Sequence, residues 1–380
     1  MQELFLDYHI RNVSDRYDFD SIRVGIQPIN ADFRGFLFQD DQLGIRLFGN
    51  RDNNKWQYNL AYFRRLEKDT NSGLNTFDQP VRNDEVFLAN LYHQDFPVTG
   101  LTTQTTVIYN KNSEFDEAYY DRNGFLVRPA ALANSRPRKY DVIYPGISVD
   151  GHIGWLNLTA TAYGAIGHNE NNPFSGQKND IRSFFFAAEP SVDFSWMRLR
   201  GSLLYASGDS DPYDRTETGF DSIQENPIFA GADTSYWIRQ AIPFIGGGGV
   251  ALVGRNGVLP SLRSSKDEGQ SNFTNPGLFL AGLGADFDVL PELRLSFNVN
   301  RLQFANTASL EALRQQAGIP KDIGTDLSAA VTWRPWFIQN VVFRVSGAML
   351  FADQGFRSLY DDGGRTKSYY SILTNAVLSY

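Results

Sequence analysis

From one end to the other, the chain alternates apolar and polar side chains with a period of two. Trp56, Tyr58, Leu60 and Tyr62 interleave with Gln57, Asn59 and Ala61. Leu156, Leu158, Ala160 and Ala162 interleave with Asn157, Thr159 and Thr161. Leu293, Leu295, Phe297 and Val299 oppose Arg294, Ser296, Asn298 and Asn300, and Val341, Phe343, Val345, Met349 and Phe351 oppose Arg344 and Ser346. Successive side chains of a strand point to opposite faces, so each stretch predicts a strand with one apolar and one wetter side. The closing "SYYSILTNAVLSY" follows the rule: Tyr370, Ile372, Thr374, Ala376, Leu378 and Tyr380 share a face. Ser371, Asn375 and Ser379 lie opposite, with Leu373 and Val377 as exceptions.

The pattern predicts fifteen strands, at 3–12, 20–29, 41–50, 54–66, 84–94, 101–111, 140–152, 154–167, 181–195, 197–207, 277–290, 292–305, 325–335, 340–352 and 368–380. Most are long enough to cross a bilayer at a tilt, which takes roughly 9–11 residues. Short turns such as "NRDNN", "QDFPVTG", "DGHIG", "LPE" and "PWFIQN" alternate with long polar connections at 30–40, 67–83, 112–139, 168–180, 208–276, 306–324 and 353–367. That rhythm predicts an all-β, antiparallel, up-and-down transmembrane barrel over 1–380, with tight periplasmic turns and long extracellular loops. A soluble all-β sandwich is the competing reading of short strands and turns. Trp155, Trp196, Trp333 and Trp336 beside short turns, with Tyr109, Tyr144 and Tyr205 toward strand ends, fit aromatic girdles at the two interfaces.

Composition agrees. Aromatics make up 14% of the chain, yet mean hydropathy is only −0.34, as expected when only alternate residues face lipid. No apolar run is long enough for a transmembrane helix. The net charge of −8 argues against general nucleic-acid binding. Without cysteine, disulfides and thiolate metal sites are excluded. The start "MQELFLDYHI" has none of the features of a signal peptide. With the last long loop outside, fifteen alternating strands place the first strand's start outside the cell. Barrels of this kind normally have an even strand count and both ends in the periplasm. The expectation is therefore a chain lacking N-terminal strands, from a complete barrel of sixteen to eighteen.

Three stretches, "IRVGIQPINADFRGFLFQDDQLGIRLFG" (22–49), "YNLAYFRRLEKDTNSGLNTF" (58–77) and "LLYASGDSDPYDRTETGFDSI" (203–223), resemble alginate-export-like outer-membrane barrels of Gram-negative bacteria. The first two are most similar to that group's uncharacterised relatives. The resemblance implies a monomeric barrel of about eighteen strands, with a polar lumen and passive passage of a hydrophilic solute. No arginine of the exporters' dense lining is matched one for one, so alginate itself is not implied.

If the apolar face meets lipid, the other face lines the lumen. Arg23, Arg46, Arg198, Arg200, Arg294, Arg334 and Arg344 then point inward with Asp7, Glu189, Asp193, Asp286, Asp288 and Asp326. Arginine on the lipid face would cost about 2–4 kcal/mol at the midplane. Rings of arginine select anions, whereas opposite charges can instead pair across the lumen. Arg198 and Arg200 are the first candidates for an electropositive constriction. The longest connection, 208–276, carries the apolar, Gly-rich "FIGGGGVALVG" (244–254) and is read as a plug or gate, or else as a surface lid. A hairpin within 236–258 would leave the strand parity unchanged. Asp209, Asp211 and Asp214 in "DSDPYD" form a weak Ca²⁺ candidate, lacking the turn glycine and closing glutamate of a calcium loop. His9, His93, His152 and His168 are scattered, and no nucleophile elbow or metal-ligand spacing occurs, so no enzyme and no other cofactor is expected.

The expected function is a porin-like channel in a bacterial outer membrane, passing small hydrophilic, possibly anionic, solutes. The alternative is a plugged barrel whose long loops dock an extracellular partner. Outer-membrane lipid, lipopolysaccharide and the outer-membrane assembly machinery are the other expected partners.

Overall fold

The computed structural model describes residues 2–115, 118–130, 132–134, 136, 138–245, 249–335, 340–360 and 365–378. Trp336, Tyr380 and glycines 246–248 of the Gly-rich stretch lie outside the described residues. All fifteen expected strands are present. The first six are β1 (Leu4–Asn12), β2 (Phe19–Asn30), β3 (Gln39–Arg51), β4 (Trp56–Arg64), β5 (Asp84–Gln94) and β6 (Leu101–Asn112). A small hairpin, β7 (Tyr119–Tyr120) and β8 (Leu126–Arg128), stands apart. The sheet resumes with β9 (Tyr140–Ile153), β10 (Leu156–Asn169), β11 (Asn179–Phe194) and β12 (Met197–Ala206). The long connection after β12 holds β13 (Thr216–Glu217), helix α1 (Tyr236–Arg239) and a hairpin of β14 (Ile242–Ile245) and β15 (Val250–Val253). The remainder is β16 (Leu278–Leu290), β17 (Leu293–Gln303), α2 (Ala308–Arg314), β18 (Asp322–Trp333), β19 (Val341–Ala352), α3 (Gln354–Arg357) and β20 (Ser368–Leu378).

Each long strand pairs antiparallel with its neighbours in chain order, from β1 to β20, and β13 alone adds a short parallel pairing to β11. All the short turns fall at one end of the sheet and all the long connections at the other. The tight turns rest on residues that tolerate the left-handed region: Asp52, Asn53 and Asn54 between β3 and β4, and Gly154 between β9 and β10. The hairpin expected within 236–258 exists as β14–β15, outside the main sheet.

The two faces differ as the alternation requires. Outward side chains form an apolar belt: Val24, Ile45, Leu60, Phe87, Val107, Ile147, Phe184, Leu203, Leu283, Phe297, Val331, Val345 and Ile372 are all exposed. Leu283 is 67% and Ile372 74% exposed, which no soluble sandwich would leave uncovered across a whole sheet. Outward aromatics mark both ends. Trp155 (75% exposed), Trp196 and Trp333 flank short turns, with Trp196 beside Phe287 and Trp333 beside Phe343. Tyr62, Phe87 and Tyr109 form a row toward the long-loop end. Tyr144 is a correction to the girdle reading. It shares parity with Tyr140 and Val142, and all three face inward and are buried.

The inner face also departs from a uniformly polar lumen. Toward the long loops it is apolar, with Phe63, Val86, Leu88, Ile108, Tyr163, Phe185, Leu204 and Leu280 buried in one cluster. Covering them are Phe220, Ile223, Phe229, Trp237, Val250, Leu252, Leu259 and Phe273 of the β12–β16 connection, and Phe36, Leu37 and Phe38 of the β2–β3 connection. Removal of that apolar area from water holds the connection inside the sheet's curve. Among the described residues β1 pairs only with β2 and β20 only with β19. These two margins run in the same direction.

Candidate functional site

The site is the space between the inner face of the sheet and the β12–β16 connection. Entry and exit of that connection lie side by side: Gly219 N donates to Phe273 O at 2.8 Å, and Asp209 N to Asn275 O at 2.8 Å. In between, the segment crosses the concavity and is fastened to several strands. On β11, Glu189 Oε2 accepts from Ala230 N (3.0 Å) and from Ser202 Oγ (3.0 Å), while Arg34 lies 3.3 Å from its other oxygen. On β18, Asp326 Oδ2 accepts from Ser235 Oγ (2.5 Å) and Trp237 N (3.0 Å) at the start of α1. Asn300 Nδ2 on β17 donates to Ala230 O at 2.9 Å. Arg344 on β19 pairs with Asp233 of the segment. Gly231, at φ +72°, turns the chain where a Cβ would collide with Asn298.

A second set of fasteners is buried at the long-loop end. Arg65 donates to Asp84 Oδ2 (3.0 Å), Gln224 Oε1 (3.1 Å) and Asp267 O (3.3 Å). Arg82 holds both oxygens of Glu114 (2.8 and 3.1 Å) and donates to the carbonyls of Asp267 and Gly269, each at 3.1 Å. Arg128 pairs with Glu67 and donates to Glu268 O at 2.5 Å. Arg263 pairs with Asp221 at 2.5 and 2.7 Å. Burial alone would raise the Glu114 carboxyl, but the Arg82 and Arg128 guanidinia beside it hold it at about 2.

The charged residues expected in the pore that lie on strands share the parity of the face opposite the apolar belt. Most of them are paired. Arg23 meets Asp7 at 2.6 Å, Arg198 meets Asp193 at 2.5 Å, Arg294 meets Asp288 at 2.6 Å, and Arg200 pairs with Asp286. Gly284 opens the room that Arg200 uses: a Cβ there would lie 2.7 Å from its guanidinium and from Asn298 Oδ1. The electropositive constriction expected at Arg198 and Arg200 is therefore matched charge for charge. Arg46 differs. Its Nε donates to Asn59 Oδ1 at 2.7 Å and its guanidinium lies 5.0 Å from the Phe48 ring centre, with no carboxylate partner among the described residues. Arg46 lines a cavity of about 1100 Å³ between β2–β5, residues 70–73 and residues 224–267.

The calcium candidate does not assemble. Asp209 Oδ1 accepts from Thr218 N (3.2 Å) and Oγ1 (3.0 Å), Asp211 Oδ1 from Tyr213 N (3.0 Å), and Asp214 Oδ1 from Thr216 N (2.7 Å). The last two are turn-forming contacts, and the first ties Asp209 to Thr218 nine residues on. Among the described residues no three His, Asp or Glu side chains converge in a metal-holding group.

The root of the segment titrates near neutrality. Burial pushes Glu217 up to about 7, against hydrogen bonds from Asn172 and Asn169, and Asp209 up to about 6. Between its ordinary value of 4.5 and about 7, the folded Glu217 holds a proton that the unfolded chain has released. Stability is therefore full below that window and falls as pH rises through it. Residues 208–218 should resist protease better at about pH 5 than at about pH 8 in detergent micelles. Glu217→Gln should flatten that difference, and an unchanged slope would refute the assignment.

A continuous antiparallel meander with an outward apolar belt, aromatic rows at both ends and every long connection on one side is the architecture of a bacterial outer-membrane β-barrel. No family model matches the chain, and no curated protein matches it. Solved structures similar to it are proteins of Pseudomonas aeruginosa, among them the outer membrane protein OpdK. OccK2 (OpdF), in complex with glucuronate, is 13% identical over 94% of this chain and 77% of that one, with a TM-score of 0.47. OpdK with vanillate is 10% identical over 94% and 75%, with a TM-score of 0.48. OccK9 (OpdG) is 12% identical over 94% and 73%, with a TM-score of 0.46.

Proposed function

We propose that the chain forms an outer-membrane, porin-like channel for passive passage of small hydrophilic solutes, with a preference for anions. The observation that carries this reading is the cavity of about 1100 Å³ between the inner face of the sheet and the inwardly folded connection, with Arg46 in its wall. Arg46 forms no ion pair with a carboxylate among the described residues, so it sets a positive potential at its own place on a wall whose charges balance in number as a whole, whereas the paired arginines around it contribute little field. The β12–β16 connection acts as an internal constriction, since its fasteners span β11 to β19. The likeness of residues 22–49, 58–77 and 203–223 to alginate-export-like barrels supports the same class of passage. Full-length protein in planar bilayers should show discrete open levels and an anion-selective reversal potential in a KCl gradient. Arg46→Gln should shift that potential toward zero while leaving the open level nearly unchanged. A protein that folds but never conducts would overturn the channel.

One observation favours a second reading, a receptor with a closed lumen. Leu74, Phe77, Phe115, Tyr120 and Phe125 on neighbouring long connections are all exposed. Such side chains suit the docking of an extracellular macromolecule. Loss of partner capture after changes in these loops, without change in conductance, would distinguish it.

A further inference from the structure

We infer that the same cavity is a binding site for an uncharged, polyhydroxylated solute, a short neutral saccharide. The inference rests on the channel reading only for the route of access.

The charges lining the cavity balance in number, and half of them are paired. Asp40 is held by Lys68 at 2.5 Å, Lys266 lies 3.6 Å from Glu225, and Arg263 is bound to Asp221. Of the remaining lining charges, Arg46 and Arg255 are balanced in number by Asp41 and Asp267. What the wall does offer is neutral hydrogen-bonding capacity of both signs. Asn59 Oδ1 is taken up by Arg46, which leaves its amide hydrogens to donate. Asn256 Oδ1 accepts from Arg239 at 2.8 Å, with the same consequence. Tyr92 Oη accepts from Asn90 (3.3 Å) and Gln104 (3.2 Å), so its own hydrogen is free to donate. Asn226 adds an exposed carboxamide, which supplies an acceptor as well as donors. Alternating donors and acceptors without net charge match hydroxyl groups, each of which donates and accepts at once. They match a carboxylate poorly, since it only accepts.

Isothermal titration of the full chain in detergent micelles with maltotriose, raffinose, glucuronate and triethylene glycol tests the assignment. Saturable binding of at least one neutral trisaccharide is expected, with weaker binding of glucuronate and none of the glycol. Tyr92→Phe and Asn226→Leu remove single hydrogen-bonding groups and should each weaken that binding roughly tenfold. Asn226 is exposed and Tyr92→Phe removes only a hydroxyl, so both variants should fold. Failure of every trisaccharide to bind, or binding of glucuronate alone, overturns the site. Trisaccharide binding without ion conductance would keep the site and remove the channel, whereas conductance without trisaccharide binding would do the reverse.

Discussion

Excision of residues 220–272, with Gly219 joined to Phe273 through a short Gly-Ser linker, should raise the single-channel conductance several-fold. Gly219 and Phe273 are already hydrogen-bonded neighbours at 2.8 Å, so the cut ends need not move. The excised segment is the part that crosses the concavity, from Gln224 against the β2–β3 connection to Ser235 and Trp237 on Asp326. Its removal also bares Phe63, Tyr163, Phe185 and Leu204 to water, so the variant should be less stable than the parent. A milder change isolates the constriction from that cost. Asp326→Ala removes the acceptor for Ser235 Oγ and Trp237 N, and should increase current fluctuations while the sheet stays intact. Heat-modifiable electrophoretic migration and circular dichroism establish folding. A folded deletion variant with the parent's conductance would show that the segment does not limit flow.

Arg82→Ala should cost about 3–5 kcal/mol, because it leaves Glu114 buried with its main charge partner removed. Arg82 also donates to the carbonyls of Asp267 and Gly269, so the same change loosens the segment where four arginines, Arg65, Arg82, Arg128 and Arg138, reach its backbone. The expected result is a lower unfolding temperature together with earlier tryptic cleavage at Arg263 and Lys266. The double change Arg82→Met, Glu114→Met should recover most of the loss, since it removes both buried charges together. If the single variant matched the parent in both measurements, the cluster would not be a structural fastener.

Much of this architecture is legible in the sequence. Strands that face lipid on one side carry a period-two signal strong enough to place their ends within a few residues, and the same parity puts Arg23, Arg198, Arg294 and Arg344 inside. The alternation of short and long connections orients the sheet. The inward packing of the β12–β16 connection also left a trace. In "FLAN" (87–90), "VIY" (107–109) and "SFFFAA" (183–188), apolar residues occupy both faces, which means the inner face is covered by protein and not by water. Tyr144 looks like a girdle residue because it lies toward a strand end, but its parity turns it inward, where it packs against Phe220.

The buried arginines had no such trace. Arg82, Arg128 and Arg138 lie in polar connections, and Arg65 at the very end of its predicted strand, so all four look solvent-exposed by local reading. They are buried because partners as much as two hundred residues away in the chain supply carbonyls to meet them. The balance of charge on the inner face was likewise undecidable from strand parity. Parity says which side an arginine takes, but whether a carboxylate meets it depends on the register of neighbouring strands. Register sets Arg294 opposite Asp288 on β16, whereas it sets Arg46 opposite Arg23 on β2 and Ala61 on β4. By itself, then, the sequence determined the elements, the two faces and the polarity of the sheet, because these follow from a local repeat. Only the tertiary structure decided what fills the lumen and which charges remain free there, because those outcomes depend on contacts between segments far apart in the chain.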